Sequence, residues 1–305
     1  MIESHNSTED NRSSLDEDKS MNYQTARDSA ANAQLALLLD VGSAPKPGNV
    51  DRDHDISALR MEHFFAGAIG AGAGLRQAAA GQPVGTAFER AVAGMSNQAG
   101  GNTQFGCLLL LVPLIRAAGS EDTELTSAGV RSIVNSTTVA DSANFYRGFE
   151  YVDVAVEDPP EGMAALDVRR GSDAIPTLRN REMTLYDVMD ASEDDGNATE
   201  WTGGFKRTFE TATVIEEDDG PLPDRISRAF VDRLAQDEDT LVRTEHGDEI
   251  AAEVKQRAQA ARDDPEAIAE LDEAFIKAGI NPGTTADLLV AATFVALERE
   301  NEVMI

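Results

Sequence analysis

The stretch Phe105–Ala118 constrains the fold more than any other part of the chain. Arg116 is its single charged residue, so a helix built from it has no polar face to turn toward water. Other elements must surround it. It is not a membrane span, because Gly106 and Pro113 interrupt it and it falls short of the roughly 20 residues that a span needs. It reads instead as a central helix, which Pro113 should kink.

The rest of the apolar pattern has the same helical period. Ala30, Ala33 and Leu37 form one stripe, and Met61, Phe64, Ala68, Gly72 and Leu75 another. Further stripes are Val84, Phe88, Val92 and Met95; Trp201, Phe205 and Phe209; and Ile226, Phe230 and Leu234. Ile268, Leu271 and Phe275 form a last one, closed by Gly279 as a natural C-cap. Only Tyr151–Val156 alternates like a strand, and one short strand cannot build a sheet. The pattern predicts an all-α fold, a single compact multi-helix domain over residues 23–305. No repeat recurs at a fixed period, and 190–197 and 216–223 read as surface loops. Glycine is dense at Gly67, Gly70, Gly72 and Gly74, which close helix–helix contact explains better than ligand approach.

Residues 1–22 differ. They carry Glu3, Glu9, Asp10, Asp16, Glu17 and Asp18 against Arg12 and Lys19, without apolar periodicity, and read as a disordered acidic leader. The acidity extends through the chain, with 55 acidic and 26 basic residues and a formal net charge of -29. Such a chain repels a phosphate backbone, so nucleic-acid binding is not expected. The excess fits a halophilic protein, whose carboxylates stay hydrated where 1 M salt shortens the screening length to about 3 Å. One cysteine, Cys107, excludes an internal disulfide and a cysteine-based zinc site, and its apolar setting suggests a buried, inert thiol. The N-terminus lacks the basic stretch and apolar core of a signal peptide, so a cytoplasmic location is expected.

Three segments carry chemistry. Ala44–Asp55 interrupts the helices, with Pro45 and Pro47 forcing extended backbone before them and Gly48 permitting a sharp turn. Lys46 and Arg52 supply cations, and Asp51, Asp53, His54 and Asp55 supply metal-ligating and proton-transferring groups. This combination suits a magnesium–triphosphate ligand, although a stiff connector with solvated charges has the same composition. Gly100-Gly101-Asn102-Thr103 precedes the central helix, where free backbone N–H groups can meet an anion or Asn102 and Thr103 simply cap the helix. Asn281-Pro282-Gly283-Thr284-Thr285-Ala286-Asp287 forms a turn. Thr284 and Asp287 there resemble a capping box, while the functional reading makes Asp287 a buried carboxylate facing a ligand.

Together and in this order, Lys46-Pro47-Gly48-Asn49-Val50-Asp51-Arg52 with His54-Asp55, Gly101-Asn102-Thr103, and Asn281-Pro282-Gly283 with Ala286-Asp287-Leu288-Leu289 resemble the signature blocks of the triphosphoribosyl-dephospho-CoA synthase family. A less distinctive block, Asp239-Thr240-Leu241 with His246-Gly247 following, is similar to its Asp-Thr segment. The resemblance implies an all-helical enzyme. In the reaction it implies, ATP loses adenine and its triphosphoribosyl group passes to the 2′-hydroxyl of 3′-dephospho-CoA, the precursor of a prosthetic group of lyase systems. Where bacterial synthases show Asn-Thr-His-Lys-Gly, this chain has Asn102-Thr103-Gln104-Phe105-Gly106, and its Lys46-to-His54 spacing is shorter.

Such a reaction passes through an oxocarbenium-like transition state. Asp51 and Asp55 are then candidates for base, charge stabiliser or Mg2+ ligand, and His54 for protonating the leaving purine or orienting a carboxylate. Lys46 and Arg52 are expected to bind triphosphate, with Gly48, Asn49, Gly100, Gly101, Asn102, Thr103, Asn281, Gly283 and Asp287 lining the nucleotide pocket. The other readings are a nucleotide-binding module without transfer activity and a purely structural helical protein.

Overall fold

The computed structural model describes residues 28–56, 59–192 and 194–299; the expected acidic leader, residues 1–22, lies outside them. The first half contains α1 (Ser29–Gly42), α2 (Met61–Ala79), α3 (Val84–Met95), α4 (Phe105–Ala118), α5 (Ser127–Asn135) and α6 (Val139–Gly148). Two short 3-10 turns follow, then α7 (Ile175–Asn180), α8 (Leu185–Asp190), α9 (Gly196–Gly203) and α10 (Lys206–Glu217). The chain closes with α11 (Leu222–Gln236), α12 (Thr240–His246), α13 (Asp248–Ala261), α14 (Pro265–Ala278) and α15 (Gly283–Arg299).

Two of these helices form the axis of one all-α domain. Helix α4 packs against α1, α2, α3, α5, α9 and α15. Its side chains from Leu110 to Ile115 are wholly buried, as a helix without a polar face requires. Pro113 lies within this continuous helix. Helix α15 packs against α1, α4, α9, α10, α11 and α12, and Leu288 to Leu297 are buried throughout. The glycines of α2 serve helix contact: a Cβ at Gly70 would lie 2.2 Å from the Gly94 carbonyl oxygen, and one at Gly74 2.3 Å from the Ala91 nitrogen, both on α3.

Two sequence readings change. Tyr151–Val156 forms no strand, and none occurs among the described residues; the segment has no partner to pair with, so it tucks Val152 into the core and leaves Tyr151 exposed. Trp201, Phe205 and Phe209 do not share one helix. Gly204 and Phe205 adopt left-handed conformations (φ 72° and 59°) that separate α9 from α10, yet Trp201 and Phe205 are still fully buried.

Candidate active site

The loop after α1 is shaped by its prolines and glycine. The Ala44–Pro45 peptide is cis, and the Ser227 hydroxyl of α11 donates to the Pro45 carbonyl at 2.6 Å. Lys46–Asn49 is a tight turn closed by the Asn49 N–H on the Lys46 carbonyl (2.9 Å), with Gly48 at φ 78° in its third position, the pattern of a type II turn. A side chain at Gly48 would also strike the Ile280 carbonyl, 2.3 Å from a Cβ, because the turn lies flush against the α14–α15 junction. There the Gly48 N–H donates to Asp272 Oδ1 (2.9 Å) and Asn49 Nδ2 to Asn281 Oδ1 (3.0 Å).

Lys46 is fully buried. Its Nζ lies 2.5 Å from Asp40 Oδ1, donates to Asn49 Oδ1 at 3.1 Å and sits over the Phe230 ring. Burial raises the Asp40 carboxyl above its ordinary range, and Lys46 opposes that rise. The expected contact between the Lys46 ammonium and phosphate is therefore not what this geometry offers: the charge is spent inside the protein, fixing the loop to α1. Arg52 is exposed, near Asp53.

Asp51 is buried, and its carboxylate accepts from the backbone N–H groups of Lys46 (3.1 Å), Asp53 (2.8 Å) and His54 (3.0 Å). His54 Nδ1 stands 3.0 Å from Asp272 Oδ2 and 3.9 Å from Asp51 Oδ1. It makes no directed hydrogen bond. Ligand atoms of Asp51, His54 and Asp272 all lie within 4.8 Å of one another. Burial, and then the nearby Asp51 charge, raise the Asp272 carboxyl, while the Gly48 N–H and His54 pull the other way. This donor set fits a divalent cation: two carboxylates offer hard oxygens, leaving positions for water and phosphate. Asp55 stands outside the cluster. It is exposed and accepts the Met61 N–H at the start of α2 (3.2 Å), so it is Asp272, and not Asp55, that stands beside Asp51 and His54.

Asp287 is the centre of a second group. Its Oδ1 accepts from the Cys107 thiol (3.0 Å) and its Oδ2 from Asn197 Nδ2 (2.9 Å). Residues near the starts of α4, α9 and α15 thus meet at one carboxylate. Gly106 makes this possible, since a Cβ there would fall 1.9 Å from Asp287 Oδ2. Burial pushes the Asp287 carboxyl up to about 7, aided by the Asp239 and Asp40 charges and opposed by the Cys107 and Asn197 donors; the residue nonetheless keeps a partly exposed face. Burial likewise pushes the Cys107 thiol well up, as expected for an unreactive cysteine.

The expected capping box at Thr284 does not form. Thr284 pairs with Thr240 (3.0 Å), while buried Asp239 receives the Thr285 N–H (2.7 Å) and hydroxyl (2.8 Å) together with the Leu241 and Val242 N–H groups (both 3.0 Å). Asp239 ties α12 to α15, which frees Asp287 from a capping role. Gly283 approaches Leu241, 2.5 Å from a notional Cβ.

In the glycine-rich turn, Asn102 caps α4 through the Phe105 N–H (3.1 Å), and the Gly100 N–H is taken by Gln98 (2.5 Å). Gly101 is exposed with open space beside it, and Gly100 abuts His63. Thr103 Oγ1 is buried without a hydrogen-bond partner near Gly67. Gln104 is buried, donating to the Leu37 carbonyl (3.2 Å), and Phe105 joins Phe88, Phe145 and Phe149 in an aromatic cluster.

The structure thus joins Lys46, Gly48, Asn49, Asp51, His54 and Asn281 directly, and Asp40 brings them within electrostatic reach of Asp287. Arg52 and Asp55 remain at the surface. Sequence reasoning missed Asp40, Asp272 and Asn197. Asp40 and Asp272 extend the stripes ending at Leu37 and beginning at Ile268, and an acid on a buried stripe was the available signal. Asn197 carries none, since it follows an acidic segment that reads as a surface loop.

A family model for ATP:dephospho-CoA triphosphoribosyl transferase (CitG) matches residues 26–304. The chain is also similar to a crystal structure from Archaeoglobus fulgidus whose protein is designated, provisionally, a triphosphoribosyl-dephospho-CoA synthase. The identity is 27%, the TM-score 0.64, and the match covers 78% of this chain and 99% of that one. No protein of curated function matches the chain significantly. With a family match spanning nearly all of its length, the chain belongs to the ATP:dephospho-CoA triphosphoribosyl transferase family.

Proposed function

We propose that this protein transfers the triphosphoribosyl group of ATP to the 2′-hydroxyl of 3′-dephospho-CoA or a related acceptor, releasing adenine. One observation beyond family membership carries the reading. The Pro-Lys-Pro-Gly loop is bonded to Asp272 and Asn281, residues more than two hundred positions away. Local capping or a connector's stiffness gives no reason for that convergence, whereas a shared ligand site does.

In this reading Asp51 and Asp272 would hold Mg2+, which when bound neutralises phosphate charge. Arg52 reaches the phosphates from the loop surface. Lys46 acts from behind, holding Asn49 and Asp40 in place. Asn49, Asn281 and the Gly100–Thr103 turn border the nucleotide. His54, with 39% of its side chain exposed, would donate a proton to the leaving purine, and Asp55 is the surface alternative for acid–base work.

The positions where bacterial relatives carry His and Lys are Gln104 and Phe105, both buried in the core, and this favours a second reading, a nucleotide-binding module without transfer. Incubating the protein with Mg-ATP in molar KCl, with and without 3′-dephospho-CoA, and quantifying free adenine by chromatography separates the two. Adenine formed only with acceptor present supports transfer. ATP binding with no adenine under any acceptor supports the binding module.

A further inference from the structure

Of the site's carboxylates, Asp40 is paired with Lys46 and Asp272 accepts the Gly48 N–H beside His54. Asp51, Asp55 and Asp287 are left for the proton that the acceptor hydroxyl must lose, and their surroundings differ. Asp51 accepts three backbone N–H groups, and its remaining lone pair is the one that would ligate Mg2+. Asp55 lies in solvent, on the outer side of the loop, bonded to the Met61 N–H. Asp287 is held from opposite sides by one donor on each oxygen, Cys107 and Asn197. Each of its oxygens retains a lone pair, and part of the residue stays exposed. Gly106 omits a side chain where one would overlie the carboxylate.

From this geometry we infer that Asp287 is the catalytic base for the acceptor hydroxyl, with Cys107 and Asn197 as positioning residues. The inference rests on the transfer reading above. As the acceptor oxygen bonds to the ribose anomeric carbon, its proton passes to the Asp287 carboxylate. The carbon–nitrogen bond to adenine breaks, and its electron pair stays on the purine. The purine takes one proton from His54, which is reprotonated from solvent, and Asp287 releases the acceptor's proton to solvent, so charge and protons balance over the cycle.

A base works best when its own titration lies near the working pH, and Asp287, raised by burial to about 7, meets that condition. The charged groups facing it come from each neighbouring element: the Cys107 thiol from α4, Asp40 from α1 with Lys46 behind it, and Asp239 from the start of α12. Burial first, and then the Asp239 and Asp40 charges, keep Asp287 readily protonated, while the Lys46 charge is engaged by Asp40. The thiol, itself hard to ionise in this setting, remains a donor over the working range. The single cysteine, which composition alone marks as inert, thereby gains a role that requires it to stay inert.

Because Cys107 is the only cysteine in the chain, its S–H infrared stretching band reports on Asp287 without any need for turnover. The band is expected to shift with a midpoint near pH 7 in wild-type protein and to be independent of pH in Asp287→Asn. In parallel, Asp287→Asn should lower kcat for adenine release by about 10²–10⁴-fold with KM for ATP little changed. Cys107→Ala removes a donor to the anion, so the acidic limb of the pH–rate profile should move to higher pH; Cys107→Ser, which keeps a hydroxyl donor, should move it back. An S–H band that ignores pH, or an Asp287→Asn protein with wild-type kcat, overturns the assignment while leaving transfer itself intact. If wild-type protein releases no adenine, the transfer reading fails and the base assignment with it. Should Asp287→Asn not fold, the wild-type infrared titration and the Cys107 pair still decide the matter.

Discussion

Replacing Lys46 by methionine keeps most of the side-chain volume and removes the charge. The Lys46–Asp40 pair is 2.5 Å apart with side chains 0% and 3% exposed. At an effective dielectric of about 20, that separation gives an attraction of about 7 kcal/mol, most of which only offsets the desolvation of the two ions. The cost of Lys46→Met is therefore set by the stranded Asp40 carboxylate, about 3–5 kcal/mol at neutral pH, with about 1 kcal/mol more for the lost hydrogen bond to Asn49. The sign of the pH dependence follows from Asp40. Burial already raises its pKa and Lys46 restrains the rise, so without Lys46 the folded chain holds a proton that the unfolded chain releases. The variant's deficit should then be smallest at low pH and grow as pH rises through the new Asp40 pKa. Urea unfolding at fixed molar KCl across pH 5–8 measures this; in melting experiments the deficit corresponds to roughly 6–10 °C. Asp40→Asn combined with Lys46→Met should recover most of the loss. A deficit below about 1 kcal/mol with no pH dependence would show that the pair is not the buried tie described here.

Gly106→Ala should displace Asp287 or the first turn of α4, because the new Cβ falls 1.9 Å from Asp287 Oδ2; adenine release should fall at least tenfold while the circular-dichroism spectrum stays helical, and full activity would contradict the contact. Asp272→Asn should raise the Mg2+ concentration needed for half-maximal activity by an order of magnitude or more, whereas Asp55→Asn should change it by less than about twofold, since Asp55 lies outside the cluster; the reverse ranking would restore Asp55 as the metal ligand. Withdrawing salt should loosen the protein: the charge of -29 is then screened only over about 30 Å at 0.01 M. Melting temperatures that do not change between 0.01 and 2 M KCl would assign the acidity to another purpose.

The helices were legible because burial imposes a period on apolar residues. The nearly all-apolar run in Phe105–Ala118 required a central helix, and the stripes of α2, α3 and α14 required amphipathic neighbours. The failures have equally local causes. A period of four continued through Trp201, Phe205 and Phe209, although two left-handed residues break the helix between them; periodicity records burial, not continuity. Tyr151–Val156 alternates because one side faces the core, which a loop can satisfy as well as a strand. In the site, Pro45, Pro47 and Gly48 announced a stiff loop with a sharp turn, and that turn forms at Lys46–Asn49. What the sequence did not disclose is direction. Lys46 points inward and Asp55 outward, and a charge in a loop carries no mark of which it does. Asp272 and Asn197 become visible only when α14 and α9 are packed against the loop and α15.

The central claim is that these converging groups carry out a group transfer. The most direct measurement is the mass of 3′-dephospho-CoA after incubation with Mg-ATP and the full-length protein in molar KCl, with free adenine quantified from the same mixture. The expected result is an acceptor heavier by one triphosphoribosyl group, with one adenine released for each acceptor converted. An acceptor of unchanged mass, with ATP bound and intact, would contradict it.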